Sequence, residues 1–475
     1  MKQRFLQGAA YSTGSMIYST LALLVAGKLM TNALTPEAVG QVALLLILGE
    51  LLGTCCNLGL TAALPKLLPA CDEPGRAGLL GALLPFQMLS ALLMAAVCGL
   101  GALFAPWWRP LAEGFLPLPV ALLWLAPPLL LIITLRDFLL AAAAGLHAYG
   151  LRAGAIMLMS SLQMLTFGAL FVLGVEEAFH YALAYIVSGA AGTGLLLRIA
   201  PRPYGWDGPL VRRQVGFSAP LFANTLLGFA YQRLDTVIVV YFLGVGSAAV
   251  FEMAKRIPGV VARFLNAGLV PYLPSIAGLL RDSGRDGAGL LLQRASAYSA
   301  FTGYLATLAV VAVQEPLLAA LFTTDYEGAA PAMGPLLIAA CLATQAGLMG
   351  QALIALDRPV LVMNINVGLA AIGIGLNLLL IPQFGLAGAG WSAAAAAWFS
   401  FVLQRAAVAR AGLPLTRSGA LWITIFFVAT YGFAWWMNSV FWTLVAALVY
   451  GAACLGAGSV SFKELRTLLR REEAP

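Results

Sequence analysis

The sequence has few charged residues, although charge is common in water-soluble domains. Charged residues make up 10% of the 475 positions, whereas soluble domains carry about 25%. Hydrophobic residues make up 61%, and the mean hydropathy is +0.90. This balance excludes an ordinary soluble domain. Apolar runs of about 20 residues recur along the chain, and together with this composition they predict an all-α polytopic membrane protein.

Side chains that bind metals or carry acid–base chemistry are also scarce. The chain has only two histidines, His147 and His180, and six cysteines. The cysteines form no Cys-x-x-Cys motif, and most of them lie inside apolar runs, where a thiol packs as a small core residue. The sequence therefore predicts no metal site, no histidine-based mechanism and no cofactor.

Motifs for nucleotide hydrolysis and for glycan-forming enzymes are missing as well. A phosphate-binding loop needs Gly-x-x-x-x-Gly-Lys-[Ser/Thr]. Around the single Gly27-Lys28 pair, Ala22 stands where the first glycine belongs and Leu29 follows the lysine. The predicted outer loops are too short for a catalytic domain. These absences exclude a built-in ATPase and argue against a membrane enzyme of glycan assembly.

What the sequence does contain is a series of apolar segments, each long enough to cross a bilayer. The fourteen predicted spans are 10–33, 39–64, 79–105, 119–145, 153–174, 179–198, 217–243, 249–273, 295–322, 331–355, 360–381, 386–409, 418–437 and 440–461. The connections between them are short, so we expect no soluble domain.

The basic residues predict the orientation of the spans. Twenty of those outside the spans fall in alternate loops and tails on the side of the N-terminus, and only Arg109 falls on the other side. Basic residues concentrate on the cytoplasmic side, so we expect both termini of this multi-pass protein in the cytoplasm. The first run has no clear cleavage site, which favours an uncleaved first helix. The net charge of +7 reflects this bias and requires no nucleic-acid partner.

An internal repeat links the two halves of the chain. When the first two spans are shifted by 209 positions they fall on spans seven and eight, so that Leu34 meets Leu243 and Asn57 meets Asn266. We therefore predict two six-helix lobes of the same topology, 1–200 and 201–411. A final segment, 412–475, holds helices 13–14 and a cytoplasmic tail. Transporters commonly bind substrate between such halves.

Several ionisable residues lie within the predicted spans, where each costs roughly 2.5–3.5 kcal/mol on insertion scales and usually serves function. The bases, which we predict to bind substrate, are Lys28, Arg136, Arg233, Lys255, Arg256 and Arg263. The acids, predicted as structural or coupling charges, are Glu50, Asp137, Asp235 and Glu252. Lys28 is near an outer end, so snorkelling to the interface is an equal alternative for it.

Helical spacing groups polar residues on shared faces. These faces carry Glu50, Thr54, Asn57 and Thr61 on span two, Asn224 and Asp235 on span seven, and Glu252, Arg256, Arg263 and Asn266 on span eight. Lipid cannot hydrogen-bond such a stripe, so it faces protein or a water-filled cavity. We predict that Asn57, Asn224 and Asn266 are polar residues of a cavity.

Two interpretations of the charges remain open. They could pair between helices, and Asp235 with Arg256 is the pair we expect. Bases nevertheless outnumber acids by four to two on spans seven and eight, which leaves positive charge for an anion. We expect Arg233 and Arg263 to lack an acidic partner and to act on substrate more than on stability.

Several motifs resemble those of the polysaccharide transporter family. They are Arg233-x-Asp235, Phe242-Leu243-Gly244, Glu252-x-x-Lys255-Arg256-Ile257, Leu321-Phe322-x-x-Asp325-Tyr326 and the stretch from Leu376 to Ala389 that contains Ile381-Pro382-x-Phe384-Gly385. Phe251 stands where that family often has tyrosine. The resemblance covers roughly spans one to twelve.

This resemblance implies a V-shaped exporter of the multidrug/oligosaccharidyl-lipid/polysaccharide superfamily, with two six-helix lobes and two extra C-terminal helices. It implies a flippase that moves undecaprenyl-diphosphate-linked oligosaccharide from the inner to the outer leaflet, for O-antigen (lipopolysaccharide), capsule or exopolysaccharide synthesis. Membrane lipids and a polysaccharide polymerase complex are the implied partners. A cation-coupled drug exporter of the same superfamily is the alternative, and it would be expected to have an acid-dominated cavity.

Overall fold

A computed structural model describes residues 2–112, 117–200, 205, 207–267, 272–282, 284–415, 418–437 and 439–456. This described part of the chain is helical and contains no strand. The predicted end of span fourteen at residue 461 and the C-terminal tail lie outside it.

The described residues up to 267 form ten α-helices: α1 Lys2–Ala33, α2 Pro36–Asn57, α3 Leu60–Leu67, α4 Glu73–Leu103, α5 Ala105–Ala112, α6 Val120–Leu123, α7 Ala126–Gly145, α8 Tyr149–Val172, α9 Ala178–Leu196 and α10 Gly208–Ala267. The second half forms α11 Tyr272–Asp282, α12 Gly284–Ala312, α13 Gln314–Leu321, α14 Ala330–Ala355, α15 Pro359–Arg410, α16 Ser418–Met437 and α17 Val440–Gly456.

The predicted all-α, multi-pass architecture with fourteen spans is confirmed. Ten helical segments of the described chain are long and apolar enough to cross a membrane. Two of them each hold a pair of spans, since α10 is interrupted by the non-helical Gly244 and α15 by Gly385. The shorter apolar helices α16 and α17 complete the set.

Span two differs from its prediction as one helix over 39–64. Helix α2 ends at Asn57, Leu58 and Gly59 have φ values of 46° and 78°, and α3 then begins. A Cβ on Gly59 would lie 2.5 Å from the backbone oxygen of Ser218, so both the turn and the close approach require glycine. The Ser218 hydroxyl also donates to the backbone oxygen of Leu58 at 2.8 Å, which satisfies a carbonyl that the break frees.

The local structure supports the internal repeat. Thr35, where the chain turns between α1 and α2, corresponds to Gly244, where the two halves of α10 meet. Asn57 ends α2, and its counterpart Asn266 lies one residue before the end of α10. The turns therefore recur at the predicted offset although their residues differ, because a threonine N-cap with Pro36 and a glycine with φ of 86° are two chemical solutions to a chain reversal.

The chain forms two compact units, Met1–Glu252 with Leu321–Tyr326, and Met253–Ala320 with Glu327–Pro475. In the first unit, buried leucines of α3 and α4 pack with Phe138 of α7 and Leu196 of α9. This core fixes α7 beside the broken second span. The predicted lobe boundaries at residues 200 and 411 stay a prediction.

In the second unit the C-terminal helices pack into the core. Tyr304 of α12 stacks on Phe427 of α16 with ring centroids 4.1 Å apart, and Tyr450 of α17 is fully buried in the same cluster. Stacked aromatic pairs contribute about 0.5–1.5 kcal/mol beyond the area they bury. The last two spans are thus an integral part of this unit.

Candidate functional site

A cluster of ionised side chains on spanning helices lies in the first unit, with Arg233 at its centre. Arg233 Nη2 is 2.9 Å from Glu50 Oε2 and 3.2 Å from Glu50 Oε1. Its other terminal nitrogen, Nη1, is 3.6 Å from Glu252 Oε2. The guanidinium therefore uses each terminal nitrogen for a different carboxylate, which its planar fork allows and a lysine ammonium does not reproduce.

A threonine extends this cluster to a third acid. The Thr236 hydroxyl donates to Glu252 Oε1 at 2.5 Å, and the Thr236 backbone N–H donates to Asp235 Oδ1 at 2.6 Å. The cluster of Glu50, Arg233, Asp235, Thr236 and Glu252 thus contains three carboxylates and one guanidinium. We call it the Arg233 cluster.

The turn at Gly244 explains why residues distant in sequence meet here. Thr236 and Glu252 are each eight residues from Gly244, one on either side of the reversal. Two helices that run antiparallel from a tight turn bring such positions to the same height. Glu50 comes from α2, so the cluster joins the second span to the hairpin of spans seven and eight.

The structure corrects the expectation that Arg233 lacks an acidic partner, because it contacts both Glu50 and Glu252. Its side chain is 32% exposed, that of Glu50 31% and that of Glu252 16%. Arg263 is exposed and takes part in at least one interaction, and its expected lack of an acidic partner stays a prediction. The predicted pair of Asp235 with Arg256 stays a prediction.

A second charged pair lies on α7. Arg136 Nε donates to Asp137 Oδ1 at 2.9 Å, and Arg136 Nη1 donates to the Tyr185 hydroxyl of α9 at 3.2 Å. The Asp137 side chain remains 39% exposed. The sequence singled out both charges but not Tyr185, since a tyrosine in an apolar span carries no spacing signal of its own.

The other predicted residues fall in different surroundings. Lys28, Asn224 and Asn266 are exposed, whereas Lys255 and Arg256 are half-buried. Lys28, Lys255 and Arg256 each take part in at least one polar or electrostatic interaction. The predicted substrate-binding and cavity roles of these residues stay predictions.

A cavity of about 400 Å³ lies in the first unit at the break of span two. Its polar lining is Thr54, Asn57, Thr61, Asp137, Arg152 and Thr225, and its apolar lining includes Leu140, Ala141 and Ala144. Three residues of the predicted polar face of span two, Thr54, Asn57 and Thr61, therefore line this cavity, and their functional role stays a prediction. Arg152 was missed because the basic-residue pattern places it in an inner loop, whereas the structure has it in the first turn of α8.

A second cavity, of about 450 Å³, lies in the second unit. It is bounded by α12 to α17 and includes Glu315, Trp391 and Tyr431. Its lining is drawn from the C-terminal spans as well as from the repeat. None of the charged residues singled out in the sequence is among the described residues that line it.

Residues 5–277 match the protein family described as "Polysaccharide biosynthesis protein". This match covers more than half of the chain and includes the Arg233 cluster, α7 and the first cavity. The chain therefore belongs to that family, which confirms the resemblance found in its motifs. No curated protein sequence matches it.

Solved structures show the same fold. A structure described as "Lipid II flippase MurJ, inward closed conformation" has a TM-score of 0.73 at 12% identity, covering 97% of this chain and 99% of its own. An inward-facing multidrug resistance MATE family transporter of the MOP superfamily has a TM-score of 0.67 at 15% identity, and the match covers 83% of this chain and 95% of that transporter's chain. The fold is that of the superfamily which the motifs predict.

A third likeness is to a MOP superfamily transporter from Pyrococcus furiosus Vc1, with a TM-score of 0.56 at 15% identity, covering 86% of this chain and 96% of its own. The binding pocket of that transporter is described as having a reverse polarity that suggests a different function. At these identities the likeness defines the fold alone.

Proposed function

We propose that this protein is a flippase that moves undecaprenyl-diphosphate-linked oligosaccharide from the inner to the outer leaflet of the bacterial inner membrane. Its family membership concerns polysaccharide biosynthesis, and the fold is shared with a protein named as a lipid II flippase. In this proposal the chain transports its substrate and catalyses no reaction.

The observation that carries the proposal is the Arg233 cluster. Ionised groups on spanning helices are retained where they face a water-filled path or a polar ligand. About one third of each of the Arg233 and Glu50 side chains is exposed, so the ion-paired cluster remains accessible to solvent or a ligand. A diphosphate can approach Arg233 by replacing one carboxylate, because Arg binds phosphate through the same fork.

The remaining basic residues of spans seven and eight extend this proposal. Lys255, Arg256 and the exposed Arg263 lie on the helix segment that follows Gly244. We propose that these charges hold the diphosphate while the lipid tail stays in the bilayer. Both termini lie in the cytoplasm, and a polysaccharide polymerase on the outer side receives the product.

A cation-coupled exporter of the same superfamily is a second candidate. It is favoured by one observation: the Arg233 cluster contains three acids and one base, and an acid-rich site suits cationic substrates. A fold shared with a multidrug resistance transporter agrees with it. Resistance to cationic dyes in cells that overproduce the protein distinguishes this candidate from the flippase.

The test of the flippase proposal is surface glycan in a deletion strain complemented at matched protein level. Arg263→Ala should abolish export, and Arg263→Lys should retain part of it because the charge remains while the fork is lost. Arg198→Ala, which removes an exposed arginine from the end of span six, is the control and should export normally. Full export by Arg263→Ala would show that Arg263 does not belong to the substrate site. Normal surface glycan in the deletion strain would refute the proposal itself.

A further inference from the structure

The cavity at the break of span two contains polar groups that lack partners. Asn57 is 3% exposed, and its Oδ1 has no hydrogen-bond partner among the described residues. The buried Nε of Arg152, on another wall of the same cavity, also has none there. An unpaired buried polar atom costs about 1–3 kcal/mol of stability, so a ligand or water that hydrogen-bonds to both atoms would stabilise the protein.

The two unpaired atoms have opposite requirements. Asn57 Oδ1 needs a donor, and Arg152 Nε needs an acceptor. The carboxylate of Asp137 and the hydroxyls of Thr54 and Thr225 line the same space. A metal cation would satisfy the oxygens but not the guanidinium, and a phosphate would satisfy Arg152 but face Asp137. A sugar hydroxyl donates and accepts at once, so it can satisfy both groups.

The volume and the lining of the cavity suit a sugar ring. Its volume of about 400 Å³ lies within the range of small-molecule sites, about 300–1,000 Å³, and far exceeds the roughly 10–15 Å³ that one water requires. On one side Leu140, Ala141 and Ala144 of α7 form an apolar wall beside Asp137. A sugar ring has apolar C–H faces and a polar rim, which matches such a lining.

The broken helix places irregular backbone at the cavity. Helix α3 begins there with Gly59 as its N-cap, and no side chain caps it. Non-helical backbone inside a membrane protein is retained where it lines a cavity or a substrate site. The break therefore supports a ligand-binding role for the space beside Asn57.

We propose that this cavity is a sugar-binding subsite, which holds one ring of the lipid-linked oligosaccharide through Asn57, Asp137, Arg152 and Thr225. The inference rests on the proposed function and adds to it. The charges of spans seven and eight recognise the diphosphate, while the cavity at the break of span two recognises the glycan.

The test compares two lipids on the purified full-length protein in detergent: undecaprenyl diphosphate, and the same lipid carrying one N-acetylhexosamine. Asn57→Leu and Thr225→Val each remove one sugar contact. Loss of one net hydrogen bond corresponds to roughly a threefold to tenfold weaker affinity. We expect that loss for the glycosylated lipid, and binding of the bare diphosphate lipid unchanged.

The chain offers matched controls. Asn377→Leu removes another buried asparagine whose Oδ1 has no partner among the described residues, but this residue is outside the cavity. Thr166→Val resembles Thr225→Val, because both hydroxyls donate to the carbonyl four residues earlier, at 2.7 and 2.9 Å. Both controls should bind the two lipids as the unaltered protein does. Thr225→Val carries the test on its own should Asn57→Leu fail to fold.

The outcomes separate the subsite from the flippase. If the cavity variants bind the glycosylated lipid normally, or lose both lipids equally, the sugar subsite is wrong and the cavity holds water alone. If the unaltered protein binds the two lipids with equal affinity, the subsite is also wrong while the flippase stands. If it binds neither lipid, the proposed function fails and the subsite fails with it.

Discussion

Replacement of Arg233 by leucine should destabilise the protein, because it leaves two carboxylates without their shared partner. Breaking a fully buried pair costs about 3–5 kcal/mol, whereas exposed pairs contribute about 0–1 kcal/mol. The Arg233 and Glu50 side chains are about one third exposed and that of Glu252 is 16% exposed. The expected loss is therefore intermediate, about 1–3 kcal/mol.

Second substitutions sharpen this prediction. Adding Glu50→Gln to Arg233→Leu should recover more stability than adding Glu252→Gln, because Glu50 is the nearer partner, at 2.9 Å against 3.6 Å. Glu252 also keeps its hydrogen bond from Thr236 when Arg233 is absent. Arg233→Lys should be intermediate, since one ammonium replaces two directed nitrogens.

The assay is thermal unfolding of the detergent-solubilised protein, followed by the fraction that remains monodisperse. Arg198→Leu removes an exposed arginine outside the cluster and should melt with the unaltered protein. The reasoning would be refuted if Arg233→Leu melted at the native temperature and neither second substitution had any effect. Arg233 would then be free for substrate, as the sequence alone suggested.

Three further predictions concern the break of span two, the hairpin and the topology. Gly59→Ala should lower expression and melting temperature, because the added Cβ meets the Ser218 carbonyl and φ is 78°; a native melting temperature would argue against the close approach. For Asp235 and Arg256, each single charge reversal should reduce expression and the double swap should recover part of it; a swap no better than the singles would disprove the pair. Reporter fusions after residues 213 and 471 should both report a cytoplasmic position, and a periplasmic signal from either would contradict the topology.

Much of the fold could be predicted from the sequence because membrane spans are encoded in composition. Apolar runs predicted the helices, and the gaps between the predicted spans at 244–248 and 382–385 contain Gly244 and Gly385, where the backbone is non-helical. The break at Leu58 and Gly59 was not predicted, since the run from 39 to 64 stays apolar across it. It depends on a tertiary contact, the approach of the Ser218 backbone, which no local pattern reveals.

The candidate site was predicted in its residues but not in its pairing. Charges within spans are conspicuous, so Glu50, Arg233 and Glu252 were all singled out. Their pairing could not be predicted, because Glu50 and Arg233 are 183 positions apart and helical spacing relates only residues within one helix. For Arg152 the residue itself was missed: a basic residue near the end of a span was assigned to a loop, although it lines a cavity.

The reversal at Gly244 bears on how this protein enters the membrane during synthesis. Inserting a lone helix with Arg233 and Asp235 into the membrane would cost roughly 2.5–3.5 kcal/mol for each charge at its centre. Because the reversal is so short, Glu252 leaves the ribosome soon after Arg233 and can neutralise it within the same hairpin. Spans seven and eight should therefore partition into lipid together, as one insertion unit in which Arg233 and Glu252 are already paired.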